Sequence, residues 1–262
     1  MNYKNNWLSC LLVLLPMLIF SQEQLYKEAS LVRQNDTLNY RILLPENFSE
    51  NQTYPLLLFL HGAGERGSDN KAQLTHGSTL FTAQENRSNF PAIVIFPQCP
   101  KDDYWSNVDI DRSKQSIQLE FNSQKEATTA LTLVMELLNE QLDQPYVNKD
   151  RVYVAGLSMG AMGTFEILSR MPTTFAAAIP ICGAGNTALA EKYAQVPLWV
   201  FHGAKDNVVA PLYSLEMVEA LLKAGGYPKF TLYEDANHNS WDSAFAEPEL
   251  LTWLFSKNRA QP

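Results

Sequence analysis

Three cysteines in 262 residues are too few for a disulfide scaffold, and one of them, Cys10, lies close to the start of the chain. Glycine and proline are also sparse, at 12 and 14 residues, while 46% of the chain is apolar. That balance excludes disorder as the main state. No run of Lys and Arg occurs. With 20 basic against 28 acidic residues the formal net charge is −8, or −9 without Lys4, so a phosphate backbone is repelled and no nucleic-acid partner is expected. Beyond residue 21 no stretch is long and apolar enough to span a bilayer, which takes about 20 residues. Internal repeats, low-complexity tracts and linkers are missing as well.

What is present begins with MNYKNNWLSCLLVLLPMLIFS at residues 1–21. One Lys precedes an apolar run from Leu11 to Phe20, broken by Pro16 and followed by the small Ser21. The pattern reads as a signal peptide over 1–21, and it implies export to the periplasm or the extracellular space. The run is short for an anchor, so no stable membrane insertion is expected after cleavage. Cys10 precedes the run, where a lipidated cysteine would follow it. The remainder, residues 22–262, has the length of one catalytic domain.

Strand and helix patterns alternate along that remainder. Leu25–Val32 and Thr37–Leu44 flank a turn at Gln34–Asp36 and read as a hairpin. Six apolar runs follow, at Tyr54–Leu60, Ala92–Phe96, Val152–Ala155, Ala176–Ile181, Leu198–Phe201 and Phe230–Tyr233. Uninterrupted runs suit strands buried on both faces of a parallel sheet. Helical patterns lie between them, at Gln124–Leu142, Met159–Arg170, Tyr213–Ala224 and Pro248–Ser256. Strands alternating with helices indicate an α/β fold with a mostly parallel sheet.

Gly156-Leu157-Ser158-Met159-Gly160 is a G-x-S-x-G pentapeptide between an apolar run and a helical stretch. That context is a tight strand-to-helix turn, which exposes a serine hydroxyl at the head of a helix. A serine needs a base within hydrogen-bond reach to act as a nucleophile. His61 and His202 each end a buried run as His-Gly and read as packing residues, and His76 lies in a polar stretch and reads as a surface residue. His238 follows the last run in the polar loop Asp235–Ser240, and G-x-S-x-G hydrolases carry their groups in the order serine, acid, histidine. Asp206, just after the Leu198–Phe201 run, is the expected acid. Asp235 and Asp242 are its rivals. An oxyanion hole needs two main-chain N–H groups. Met159 follows the nucleophile and supplies one, and the glycine-rich loop after Leu60 supplies the other, from Ala63 with Gly64 second. That loop lacks the G-K-[ST] ending of a P-loop, so no nucleotide site is expected.

LFLHGAGERGSDN, FPQCP followed by Trp105, GLSMGAMGTFE, FHGAKDNVV and NHNSW resemble the esterase branch of the α/β-hydrolases. That branch is similar to feruloyl and acetyl-xylan esterases and to phospholipase/carboxylesterase-like proteins often called predicted peptidases. The resemblance runs from about Tyr54 to Trp241. It implies an α/β-hydrolase fold whose mostly parallel central sheet has about eight strands, with helices on both faces. It also implies hydrolysis of carboxylic esters by a Ser158–Asp206–His238 triad, without cofactor or metal. The partner is then a small-molecule or polysaccharide-linked ester, acetyl and feruloyl esters among them. The implied sheet order sets Cys99 and Cys182 three strands apart, roughly 14 Å at about 4.8 Å per strand. Bridged Cα atoms lie within about 7 Å, so two free thiols are expected. Trp105 and Trp241 are expected as aromatic walls of the substrate pocket beside Gly64. The long segment Pro97–Ser123 is expected to form a lid or substrate platform. Two other readings stay open, a serine peptidase of the prolyl-oligopeptidase-like lineage and a catalytically silent binding module on the same fold.

Overall fold

The computed structural model describes residues 24–114, 116–122 and 124–259. The leader expected at 1–21 lies outside them. The hairpin forms as strands β1 (Lys27–Arg33) and β2 (Asp36–Leu43), paired antiparallel. The apolar runs become β3 (Tyr54–Leu60), β4 (Ile93–Pro97), β7 (Val147–Leu157), β8 (Ala177–Ile181), β9 (Trp199–Gly203) and β10 (Lys229–Tyr233). They join in one eight-stranded sheet of order β1-β2-β4-β3-β7-β8-β9-β10. The contacts from β4 through to β10 are all parallel, and β2 pairs antiparallel with β4.

Every residue of β3, β4, β8 and β9 is buried, as expected for strands covered on both faces. In β3 the pleat sends Leu56, Leu58 and Leu60 into one core and Leu57 and Phe59 into the other. The first core packs under helices Thr129–Leu142, Met159–Arg170 and Leu212–Lys223. The second packs under Ser78–Thr82, Trp241–Phe245 and Leu250–Ser256. Helix Thr129–Leu142 begins five residues later than its apolar pattern, because the Thr128 side chain caps it by accepting from the Leu131 amide at 3.2 Å.

Two strands were not foreseen. Within the Pro97–Ser123 segment, β5 (Val108–Asp111) and β6 (Gln118–Phe121) form an antiparallel hairpin. Its Val108, Ile110, Leu119 and Phe121 pack on a small cluster that includes Ile117, Met162 and Val209. The Ile117 amide donates to the Val208 carbonyl at 3.1 Å, and the Leu119 amide donates to Tyr213 Oη at 3.0 Å. Much of the segment is therefore packed platform rather than irregular loop.

Cys99 and Cys182 are both buried and free, on opposite sides of the β3–β7 centre. Among the described residues no helix is long and apolar enough to cross a membrane.

Candidate active site

The parallel strands end at one edge of the sheet, and the site is assembled there from the loops that leave them. Ser158 follows β7 directly and has φ 54° and ψ −116°, a left-handed conformation that side chains rarely adopt. The turn holds because the Ser158 amide donates to Ile181 O at 2.8 Å, and Ser158 O accepts from the amides of Ala161 and Met162. Gly160 makes room for it: a Cβ there would lie 1.9 Å from Leu60 O.

His238 Nε2 lies 2.9 Å from Ser158 Oγ, and His238 Nδ1 lies 2.7 Å from Asp206 Oδ2. The three candidates, far apart in sequence, thus meet in one hydrogen-bonded line. The loops carrying the acid and the base are stitched together by main-chain contacts. Ala204 N–H donates to Tyr233 O, Lys205 N–H donates to Ala236 O, and Asn207 N–H donates to Asn237 Oδ1. Gly203 permits this approach, since a Cβ there would sit 2.3 Å from Asn237 O. The rival acids lie elsewhere. Asp235 is exposed and paired with Lys205, and Asp242 is exposed and accepts from Asn239.

Asp206 is buried and fully engaged. Its Oδ1 accepts from the amides of Val208 and Val209 at 2.9 and 3.0 Å, and its Oδ2 faces both His238 and His202. Burial alone would raise this carboxyl. The hydrogen bonds from His202 and His238, the charge of His238 and the Val208 amide outweigh burial and hold it well below the usual carboxylate range. It therefore stays an acceptor for the histidine. Cys182 Sγ lies with Asp206 and His238 within 4.8 Å, a spacing that would suit a metal ion. Burial pushes its thiol up, and the carboxylate and imidazole are already committed to hydrogen bonds, so the donor set does not fit a cation.

Met159 opens helix Met159–Arg170 and Ala63 opens the short 3-10 helix Ala63–Glu65. First-turn amides have no acceptor within their own helix. The loop carrying Ala63 is braced from beneath. His61 Nδ1 meets Gly62 O at 2.6 Å, so that nitrogen donates, and His61 Nε2 accepts from the Cys99 amide at 3.0 Å. Burial lowers His61 from its ordinary 6.5 to about 4 against the opposing Gly62 bond, keeping the ring neutral in this role.

A pocket of ≈ 250 Å³ opens beside Ser158 and His238. Gly64 and Trp241 line it as expected, with Tyr104, Met162, Ile117 and Val208. Trp105 does not, and here the expectation is corrected. Its side chain is fully buried, its Nε1 donates to His61 O at 3.1 Å, and its Cβ lies 2.5 Å from where a Cβ on Gly163 would stand. An indole whose N–H finds a carbonyl partner can pack in the core, and Trp105 supports the loop carrying Ala63 from behind. His76 was read as a surface residue and is instead part of the pocket wall. It sits 3.7 Å from Glu65 Oε1 and 5.1 Å from the Trp241 ring, which in turn lies 5.5 Å from His238. No sequence signal pointed to it, because its neighbours are polar and the contact is long-range. A larger groove of ≈ 740 Å³ between Thr187 and Ala224 is lined by none of the candidate site residues.

Comparison with known proteins agrees with this fold. A family model for esterases matches residues 32–251. The chain is 25% identical over 182 residues to the bifunctional acetylxylan esterase/xylanase of Neocallimastix patriciarum, covering 70% of this chain but only 23% of that protein. A thermostable esterase of known structure superposes with a TM-score of 0.82 at 31% identity, covering 91% of this chain and 64% of that one. A ferulic acid esterase from Anaeromyces mucronatus, solved with ferulic acid, shares the fold at a TM-score of 0.63 and 16% identity, covering 88% and 90% of the two chains. The sheet order, the helices on its two faces and a family match spanning most of the sequence lead to one assignment: the chain belongs to the esterase family of α/β-hydrolases.

Proposed function

We propose that this protein is an exported serine carboxylesterase working through an acyl-enzyme, within one catalytic domain that begins at residue 22. The observation that carries the mechanism is the continuous line Ser158 Oγ, His238, Asp206, with contacts of 2.9 and 2.7 Å. His238 takes the serine proton as Ser158 attacks the ester carbonyl, and Asp206 holds the imidazole with Nδ1–H directed at the carboxylate. The amides of Met159 and Ala63 receive the developing oxyanion. His238 then returns the proton to the departing alcohol. Water repeats the sequence on the acyl-enzyme, releasing the acid and freeing Ser158. The imidazole must be neutral to take the proton, so its protonation in acid stops the reaction.

Pocket size supports short acyl groups. Ligand pockets commonly run to about 300–1,000 Å³, and this one, at ≈ 250 Å³, lies below that range. Its wall mixes apolar Trp241, Met162 and Ile117 with polar Glu65, His76, Tyr104 and Arg112, which suits a small acyl group on a polar alcohol. Acetyl esters carried on polysaccharides meet that description, and the acetylxylan esterase relative favours them, while feruloyl esters are the bulkier members of the same substrate class. The leader at 1–21 supports export, to a compartment where such polymers are met. The test is an ester panel of p-nitrophenyl acetate, methyl ferulate and acetylated xylan, run beside a dipeptidyl chromogenic substrate, with Ser158→Ala as control. Turnover of esters that disappears in the control is the expected result. Turnover of the dipeptidyl substrate alone, or of nothing, overturns the proposal.

A further inference from the structure

We infer that His202, which lies outside the Ser158–His238 line, is a positioning residue that holds Asp206 for His238; this rests on the triad reading above. His202 ends β9 and is wholly buried. Its Nε2 lies 3.1 Å from Asp206 Oδ2 and 3.0 Å from Val209 O. Both are acceptors, so Nε2 carries the proton and donates to them. Its Nδ1 lies 2.7 Å from Ser214 Oγ, which reaches Gly183 O at 3.1 Å. The ring is thus held through both nitrogens, by the Asp206–Val209 turn and by helix Leu212–Lys223, whose Ser214 is tied in turn to the loop after β8.

The consequence lies in the geometry of one oxygen. Asp206 Oδ2 is shared between two imidazoles, while Oδ1 is held by two main-chain amides. The amides set where the carboxylate sits. His202 sets its rotation about the remaining axis and draws charge away from the oxygen that His238 uses. The titratable groups facing Asp206 are His202 from β9, His238 from the loop after β10 and Cys182 from the end of β8. Removing the His202 donor leaves Oδ2 to His238 alone. A more basic Oδ2 holds the imidazolium more firmly, so His238 keeps its proton to higher pH, and the carboxylate is freer to rotate.

Two amide variants separate positioning from mere packing. His202→Gln can place an N–H donor where Nε2 stood, whereas His202→Asn reaches only the Nδ1 position. The readout is the pH dependence of Ser158 labelling by a fluorophosphonate probe, which needs no ester substrate. Folded protein is verified by circular dichroism and rates are expressed per reactive site. His202→Asn is expected to slow labelling about ten- to a hundredfold and to move the acid limb up by about one pH unit. His202→Gln is expected to recover most of the rate and the original limb. Equal slowing by both variants with an unmoved limb overturns the inference. Histidine ¹⁵N spectra of the wild type give a check free of variants: a proton on His202 Nε2 is expected, and a proton on Nδ1 alone overturns it. Labelling without turnover of any ester defeats the ester reading while leaving this one standing. Failure of wild-type Ser158 to label defeats both.

Discussion

The two sides of the candidate active site are built by different means. On the side that carries Ser158, Asp206 and His238, position is set largely by main chain, with the His202 side chain as the exception: a strained turn, amides on Asp206 Oδ1, and loops stitched carbonyl to amide. On the opposite side, position is set by side chains, with Trp241 against His76, His76 near Glu65, and the β5–β6 hairpin resting on Met162 and Val209. The difference teaches where change is tolerated. Main-chain scaffolding survives most substitutions of neighbouring side chains, so Ser158 and His238 stay in place when the pocket wall changes.

The largest expected effect tests the scaffolded side. Ser158→Ala should lower kcat by about 10⁴-fold or more on any ester that the wild type turns over, with little change in melting temperature. A residual rate within tenfold of wild type would place the chemistry elsewhere. Next comes the support beneath the loop carrying Ala63. Trp105→Ala should cost about 3–5 kcal/mol in guanidinium unfolding, the usual range for emptying a buried aromatic site. A loss under about 1 kcal/mol, accompanied by a raised KM, would return Trp105 to the pocket wall.

Third is His61, where sign matters. Its folded value of about 4 lies below the ordinary 6.5, so the unfolded chain binds more protons between those limits. Its stability contribution is complete above pH 6.5 and is lost as pH falls toward 4, about 2 kcal/mol of it between pH 7 and 5. Asp206 is also lowered, but its contribution is lost only below the ordinary carboxylate value of 3.8, outside that window. His61→Gln should therefore flatten the unfolding free energy between pH 7 and 5, and an unchanged slope would show that His61 does not titrate as described. The smallest effect belongs to the side-chain wall. Trp241→Ala should raise KM by about tenfold or less, with kcat and stability nearly kept. A collapse of kcat instead would mean that Trp241 also orients His238, and the contrast between the two sides would blur.

Much of this architecture was legible in the chain itself. Continuous apolar runs of four to seven residues between turn signals announced β3, β4, β8 and β9, because runs that short suit strands buried on both faces better than helices. Ser158 was legible because its turn demands small neighbours, and His238 and Asp206 because chain order restricts where a base and an acid can follow. The β5–β6 hairpin was not, since VDID and QLEF are short and half polar and owe their strand conformation to the cluster beneath them. Trp105 and Trp241 looked alike in sequence. Only the depth of the His61 carbonyl, which accepts the Trp105 indole N–H, separates the core residue from the wall residue.

The two thiols carry a practical consequence. Cys99 and Cys182 are buried, unpaired and raised by burial, so alkylating reagents meet no ready thiolate while the fold is closed. Folding calls for no oxidant from these two positions, and a maleimide dye would react at the pace at which molecules open, making each cysteine a built-in clock for unfolding.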